Sequence, residues 1–276
     1  MEIRFQNSPK ETSQMNTQEL RTNFLVQNIL VDDEVKLVYS HYDRMIIGGA
    51  KPATKPVRLE NHPELRAEYF LERREIGIIN VGGAGQVEAD GVTFDLEKLT
   101  CVYLGKATKD VTFKSSSPAN PAVFYLLSAP AHYAYPSARM TKDEASPGTM
   151  GAVETANERT IYRYIHLDGL KSCQLVMGLT ILSPGSVWNT MPAHTHTRRM
   201  EAYFYFDVLE EHRIVHLMGE PQETRHLLVA NHEAIISPPW SIHSGCGTTS
   251  YGFIWGMAGE NLVYSDMDSI AITELR

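Results

Sequence analysis

The sequence predicts an all-β protein made of two barrel-like or sandwich-like halves, with only a few short helices. Two observations lead to this prediction. Many short apolar segments follow one another along the chain, and turn-forming glycines, prolines and aspartates separate them. Val35, Leu37 and Tyr39 also alternate with polar residues, which is the pattern of a half-buried strand. A chain of 276 residues is long enough for two β domains of ordinary size.

The first domain is predicted to span residues 1–140 and to begin with a helix. Asn16 is followed three residues later by Glu19, the pattern of a capping box at a helix start. We expect this helix to pack through Leu20 and Phe24. The strands expected after it include residues 76–81, 102–104, 111–113 and 123–127.

Residues 141–160 are polar and contain few large apolar side chains, so we interpret them as a connector. The second β domain is predicted over residues 161–276, where strand-like segments resume. The two halves also resemble each other faintly, because 70–79 and 197–205 both run from basic and acidic residues into an apolar strand. This likeness suggests an internal duplication.

Composition excludes several classes of protein. The net charge is −8 and the pI is about 5.8, which argues against a nucleic-acid partner. The N-terminal residues lack the apolar core of a secretion signal, and no apolar stretch is long enough to span a membrane. Three cysteines without a CxxC pattern favour free thiols in a reducing compartment. We therefore expect a soluble cytoplasmic protein with neither membrane nor nucleic-acid partners.

The chemistry is concentrated in one segment of the second domain. His194 and His196 are two residues apart, so on a strand both side chains face the same way. Glu201 lies at an odd offset from both and can join them only if the chain bends between 197 and 200. His243 follows a turn that contains two prolines. These four residues are the predicted metal ligands.

Three imidazoles and one carboxylate suit zinc, manganese, iron, nickel or copper better than calcium or magnesium. The alternative is that these histidines only form hydrogen bonds in a core or at the surface. A single HxH arises easily by chance. The combination with a nearby carboxylate and a later histidine is more specific, and it favours the metal site.

These residues resemble the two motifs of the cupin superfamily. The first motif corresponds to Gly185, His194, His196 and Glu201, although its spacing after the glycine is somewhat long. The second corresponds to the proline turn and His243. The resemblance implies a double cupin, two β-barrel or jelly-roll halves, of which the first has lost its metal ligands.

A closer resemblance covers nearly the whole chain. Segments such as NTMPAHTHTRRMEAYFYF, ISPPWSIHSG and YFLERREIGIINVGGAG resemble the family of 4-deoxy-L-threo-5-hexosulose-uronate ketol-isomerases. The resemblance implies conversion of 5-dehydro-4-deoxy-D-glucuronate to 3-deoxy-D-glycero-2,5-hexodiulosonate during the breakdown of pectin-type uronides. It also implies a homohexamer with one zinc ion per subunit, bound by His194, His196, Glu201 and His243.

Such a reaction needs a group that moves a proton and a cation that holds the substrate carboxylate. For the first role the sequence offers Glu223 and His226, while the nearby Glu220 is better explained as part of a hairpin turn. For the second role it offers Arg198, Arg199 and Arg225. The first two are neighbours, so we expect only one of them to point inward. Trp188, Tyr203 and Trp240 are candidates to line the pocket, although aromatic residues in a barrel more often belong to the core.

Two other functions remain open at this point. The same ligand set supports oxygenases when iron or copper is bound, so a cupin dioxygenase is one alternative. A noncatalytic sugar-binding or storage-type bicupin is the other. The complete ligand set argues against the second.

Overall fold

The chain folds into two similar halves, each made of a seven-stranded sheet and a four-stranded sheet. The computed structural model describes all residues, 1–276. The all-β prediction is confirmed, since the only α-helices are α1, Pro9–Gln14, and α2, Thr17–Phe24. Three short 3-10 helices span Pro63–Leu65, Val153–Thr155 and Ile272–Glu274. Neither α-helix has the length and apolar character needed to cross a membrane.

The strands of the first half, together with one strand that the N-terminal segment gives to the second, are short and mostly antiparallel. They are β1 Glu2–Arg4, β2 Leu25–Val26, β3 Val35–Ser40, β4 Ile46–Ala50, β5 Val57–Arg58, β6 Arg74–Asn80, β7 Gly85–Ala89, β8 Val92–Leu96, β9 Cys101–Leu104, β10 Val111–Ser115, β11 Phe124–Pro130 and β12 Ala138–Met140. The large sheet has the order β1-β3-β4-β11-β6-β9-β12, and the small sheet has the order β5-β10-β7-β8.

The second half repeats this plan. Its strands are β13 Gly148–Met150, β14 Arg159–Ile165, β15 Val176–Leu182, β16 Trp188–Asn189, β17 His194–Thr195, β18 Arg199–Phe206, β19 Ile214–Glu220, β20 Glu223–Val229, β21 Ala234–Ser237, β22 Ser244–Gly247, β23 Gly252–Gly259 and β24 Asp268–Ser269. The large sheet has the order β13-β14-β15-β23-β18-β21-β2, and the small sheet has the order β16-β22-β19-β20. β17 and β24 form a separate pair.

Alternate residues along the central strands face different cores, as the pleat of a strand requires. In β6, Ile76 and Ile78 belong to the core of the first half, whereas Ile79 belongs to the core shared with the second. Across that shared core, the rings of Tyr125 and Phe204 stack with centroids 4.3 Å apart. The two large sheets therefore pack against each other, and the interior of each half lies on the far side of its large sheet.

One buried carboxylate also links the two halves. Glu75 accepts hydrogen bonds from the backbone amides of Cys173, Gln174 and Leu175, at 2.7–2.9 Å, just before β15 begins. The hydroxyl of Tyr103 donates a fourth, at 2.9 Å. Because several donors satisfy it, this carboxylate can be buried without an ion-pair partner.

The predicted N-terminal helix is confirmed as α2, and the side chains of Asn16 and Glu19 form the expected capping box. Leu20 and Phe24 are buried on its inner face. The segment predicted as a connector, 141–160, is more ordered than a linker. It contains β13 and the start of β14, and β13 forms an exposed edge of the second large sheet, which explains its polar composition.

Candidate metal centre

Four side chains from three parts of the second half meet inside its barrel. His194 lies on β17, and a turn at 197–198 separates His196 from Glu201 on β18. The predicted bend is therefore present, and the amide of Arg199 donates to the carbonyl of His196 at 3.0 Å. His243 lies between the proline turn and β22. The ligand atoms of the four residues all lie within 4.8 Å of one another.

The atoms that converge are the Nε2 atoms of the histidines and one carboxylate oxygen. The Nε2 atom of His194 lies 3.1 Å from that of His196 and 2.9 Å from that of His243. Oε2 of Glu201 lies 3.0 Å from Nε2 of His196 and 2.8 Å from Nε2 of His243. Three imidazole nitrogens and one oxygen facing a common point form a donor set suited to a divalent transition metal.

Hydrogen bonds at the other ring nitrogen orient two of these histidines. Nδ1 of His196 donates to the backbone carbonyl of Asp266 at 2.7 Å, so the proton sits there and Nε2 keeps its lone pair. Nδ1 of His243 lies 3.3 Å from the hydroxyl of Ser237. Histidines that bind metals are held in this way, and the residues present therefore fit such an ion.

Burial and charge keep the group in the protonation state that a metal needs. Burial, reinforced by neighbouring His243, lowers the pKa of His194 to about 2, so its imidazole is neutral. Burial alone would raise the pKa of Glu201. The neighbouring imidazoles of His243 and His196 outweigh this effect and hold that pKa well below its usual value. The carboxylate is therefore ionised.

His194, His196 and Glu201 form one wall of a cavity of about 320 Å³, and His243 lies behind them. Its other walls include aromatic and thioether side chains, among them Trp255, Met257 and Tyr264. A cavity of this size with a few polar groups on an apolar lining is typical of a small-molecule site. Met267 and Ser269, from the C-terminal segment that follows β23, also line it.

One arginine lines this cavity, and it is not an arginine predicted from the sequence. Arg159 is the first residue of β14, and its Nη1 donates to the carbonyl of Asn157 at 2.7 Å. No carboxylate pairs with it, and burial lowers the pKa of its guanidinium. A half-buried cation without an acidic partner is suited to bind an anionic group of a ligand.

Tyr203 lies on the cavity wall beside the three histidines and Glu201. Its hydroxyl is 2.9 Å from that of Thr190, which also lines the cavity. Burial raises the pKa of this phenol well above its usual range, so it carries its proton. Of the three aromatic residues that the sequence offered for the pocket, Tyr203 lines it, and Trp188 and Trp240 do not.

Arg198 and Arg199, the arginine pair that precedes Glu201, bind the C-terminal segment that follows β23. Arg198 donates to the carboxylate of Asp266 and forms an ion pair with Asp268. Arg199 is fully buried and donates to the carbonyls of Val263, at 2.8 Å, and Asp266, at 2.9 Å. One of the two points inward, as expected, but neither lines the cavity.

The structure does not bring the other predicted residues to the cavity. Glu223 and His226 are exposed on β20, at the edge of the small sheet. Arg225 pairs with Glu223 and donates to the carbonyl of Ser13, which lies in α1. Glu220 lies at the hairpin between β19 and β20, as the sequence suggested. Nearness in sequence to the motif did not place these side chains near the metal ligands.

Comparison with protein-family models identifies the family. The model described as the KduI/IolB family matches residues 24–272. The chain belongs to the KduI/IolB family.

Curated relatives of similar length are named 4-deoxy-L-threo-5-hexosulose-uronate ketol-isomerase. The relative from Formosa agariphila is 54% identical over 275 residues, covering 100% of this chain and 98% of that protein. The relative from Enterococcus faecalis, numbered 2 in its name, is 52% identical over 276 residues and covers 100% of both chains. The prediction of an enzyme of the ketol-isomerase class is confirmed.

Solved structures confirm the double-cupin fold. An IolB-like protein from Salmonella typhimurium aligns with a TM-score of 0.69 and 15% identity, over 90% of this chain and 97% of that one. The oxalate decarboxylase of Lactobacillus farciminis aligns with a TM-score of 0.54 and 10% identity, over 83% and 79% of the two chains. At these identities the likeness concerns the fold alone.

Proposed function

We propose that this KduI/IolB-family enzyme is a metal-dependent aldose–ketose isomerase that converts 5-dehydro-4-deoxy-D-glucuronate to 3-deoxy-D-glycero-2,5-hexodiulosonate. The observation that carries the proposal is the convergence of His194, His196, Glu201 and His243 beside a largely apolar cavity, whose wall includes the first three. The name of the curated relatives supports the substrate class. The reaction moves a hydrogen from C2 to C1 of the sugar and needs no external oxidant or reductant.

The four ligands would hold one divalent ion per subunit, and we propose zinc. Such an ion, when bound, polarises a carbonyl oxygen and the neighbouring hydroxyl oxygen as a Lewis acid. The protein's part is to keep His194 neutral and Glu201 ionised, and to turn the Nε2 atoms of the imidazoles toward the ion. The hydrogen bond from His196 to Asp266 serves this purpose, because it fixes the tautomer of the ring.

Arg159 is the residue that we propose for the substrate carboxylate. It is the only arginine in the cavity lining, and the lining contains no lysine. Its guanidinium donors can hold a carboxylate in a fixed orientation, which would place the far end of the sugar chain at the metal ligands. Arg159 therefore replaces Arg198, Arg199 and Arg225 in this role.

Tyr203 is the proposed hydrogen-bond donor to the reacting end of the sugar. It sits two residues after Glu201 on β18 and therefore faces the same interior space. The hydroxyl of Thr190 holds the phenol in place at 2.9 Å. A donor aimed at an oxygen that becomes more negative during the reaction stabilises the transition state. The cavity lining offers no carboxylate or imidazole beyond the proposed ligands, so Tyr203 and Thr190 replace Glu223 and His226 as the proposed polar groups next to the reacting carbons.

The apolar walls exclude water from the reacting carbons. Phe253, Trp255 and Met257 project from β23 into the cavity, and Tyr264 packs against Trp255 with ring centroids 5.2 Å apart. An enediol-type species formed during a hydrogen shift would otherwise exchange protons with solvent, and a drier site also strengthens the hydrogen bonds within it.

The deciding experiment assays the purified protein on the keto-uronate before and after treatment with a chelator. We expect formation of the 2,5-diketone to stop on chelation and to return when zinc is restored. Full turnover by protein shown to be free of metal would refute the proposal. The measurement should include oxygen uptake, because turnover that consumes oxygen would instead support the dioxygenase alternative.

We also propose the assembly and location that the family resemblance implies, a homohexamer in the cytoplasm. Met150 lines the cavity and is 53% exposed, so a neighbouring subunit could cover it. Light scattering on the purified protein tests the assembly, and a monomer that is fully active would contradict it.

A further inference from the structure

The metal-free half has a cavity of its own at the end of its interior. Its volume is about 170 Å³, and its walls include Tyr39, Phe70 and Pro130. Arg74, the first residue of β6, also lines it. Because Arg74 has the same strand phase as Ile76 and Ile78, its side chain faces the interior of the half rather than the junction between halves.

The guanidinium of Arg74 is buried without an acidic partner. The residue is only 6% exposed, and no carboxylate forms an ion pair with it. Its Nε donates to the hydroxyl of Ser128 at 3.0 Å, and Nη2 donates to the carbonyls of Arg44, at 2.6 Å, and Ser128, at 2.7 Å. Nη1 forms no hydrogen bond. A buried charge normally has a counter-charge, and this one has only neutral acceptors.

The neighbouring acidic residues form no ion pair with Arg74. Glu75 is adjacent in sequence but faces the other side of the strand, where backbone amides of residues 173–175 hold it. Glu64 is exposed at the rim of the cavity and pairs with neither Arg73 nor Arg74. Two arginines and one glutamate leave a net charge of +1 on the lining.

We propose that this cavity is a second, noncatalytic ligand site for a small monocarboxylate with a largely apolar body. The free Nη1 of Arg74 would bind the carboxylate, since a single negative charge balances the lining. The rings of Tyr39 and Phe70 and the ring of Pro130 would contact the body of the ligand. Arg73, whose Nη2 donates to the carbonyl of Leu65 at 2.9 Å, adds positive charge near the opening.

The probes that test the site are benzoate and its neutral isostere benzamide, with binding followed by ligand-observed NMR titration. The protein used is the full chain carrying Arg159→Gln, so that the cation of the metal cavity does not contribute. We expect benzoate to bind with at least a tenfold lower Kd than benzamide. Equal affinities for the two probes would overturn the proposal. So would preferential binding of inorganic phosphate, because it would assign the site to a different anion.

Variants then locate the binding. Adding Arg74→Gln should weaken benzoate binding at least tenfold, whereas Arg58→Gln, an exposed arginine on β5, should leave it unchanged. Glu64→Gln should tighten it about twofold, because a negative charge leaves the rim. Unchanged affinity after Arg74→Gln would disprove the site.

A second variant covers the case in which Arg74→Gln does not fold. Ala67 also lines the cavity, and Ala67→Phe would fill it while leaving the hydrogen bonds of Arg74 intact. We expect benzoate binding to fall at least tenfold in this variant, with no change in isomerase activity in a chain that retains Arg159. Benzoate affinity equal to that of the parent chain would refute the proposal.

Discussion

The two halves of this protein share one strand order but use their interiors differently. When their central strands are aligned on the arginine pair that begins each, Ile76 and Ile78 of β6 occupy the positions of Glu201 and Tyr203 in β18. The first two belong to a packed apolar core, and the second two line an open cavity. Two inward positions on one strand thus distinguish a half that contributes packing from a half that carries chemistry.

This difference shows how a fold and a site can be specified separately. The sheets of both halves depend on backbone pairing and on apolar residues that fill the junction between them. Those features are retained in the half without the metal ligands. The site depends on a few inward-facing side chains, so a half can lose it and keep its fold.

The inward-facing arginine of each pair also shows that fold and site are specified separately. Arg74 and Arg199 both donate to backbone carbonyls near the open end of their half. Arg199 thereby anchors the C-terminal segment that orients His196. Arg74 instead holds the turn between β3 and β4, and the cavity that it lines remains open.

The strongest test of this comparison removes one inward-facing side chain from each half. His243→Ala should lower kcat about 1,000-fold, because the charge stabilisation by a metal is worth several kcal/mol and each 1.4 kcal/mol is a factor of ten. Steady-state kinetics at saturating zinc measures it. Ile78→Ala removes an inward-facing side chain from the other half. It should cost about 2–5 kcal/mol of unfolding free energy and leave kcat per folded molecule unchanged. A large loss of kcat in Ile78→Ala at full folding would contradict the division of roles.

The next largest effect concerns substrate recognition. Arg159→Gln should lower kcat/KM about 10- to 100-fold, since a hydrogen bond to a charged group contributes about 1.5–3 kcal/mol. Arg159→Lys should retain part of the activity, because it keeps the charge but loses the planar fork. The matched control is Arg225→Gln, outside the cavity, for which we expect nearly normal kinetics. The opposite pattern would return the carboxylate site to the arginine predicted from the sequence.

Local patterns explain what the sequence predicted well. The capping box of α2 and the donor set at His194, His196 and Glu201 each lie within a few residues, so spacing alone constrains them. His243 is distant in sequence, yet the proline turn before it gave a motif to recognise. These predictions needed no knowledge of which strands pair.

The remaining site residues depend on pairing that spacing does not reveal. Arg159 begins β14 and reaches the cavity because β14, β15, β23 and β18 lie side by side. Arg159 lies in the polar segment that was interpreted as a connector. Its position just before an apolar strand could nevertheless have identified it as a candidate. Strand pairing also explains why His226 lies outside the cavity. It is close to the motif in sequence, but it alternates with the buried Leu227 and so faces solvent.

A smaller effect is expected where the C-terminal segment holds a metal ligand. Asp266→Ala keeps the carbonyl that accepts from His196 but removes the carboxylate that Arg198 and Asn261 hold. We expect about a tenfold loss of zinc affinity, at the lower end of the range for residues that orient metal ligands. Competition with a chromogenic chelator measures it, and kcat at saturating zinc should change little. Lys98→Ala, which removes an ion pair on the surface, is the control. Equal zinc affinities in the two variants would show that the segment does not orient His196.

The smallest predicted effect is on stability in acid and concerns a histidine outside the ligand set. His216 is fully buried, its Nδ1 lies 2.8 Å from the hydroxyl of Tyr205, and burial lowers its pKa to about 3. Between about pH 3 and its unfolded value of 6.5, the unfolded chain binds the additional proton, so stability falls as the pH falls through this window. This residue should cost about 1 kcal/mol between pH 7.0 and 5.7. Urea unfolding of wild type and His216→Gln at both pH values isolates the cost, which the variant should lack. Val215→Ala on the same strand should lower the midpoint but keep the wild-type pH dependence, and an unchanged dependence in His216→Gln would show that this ring is not the source.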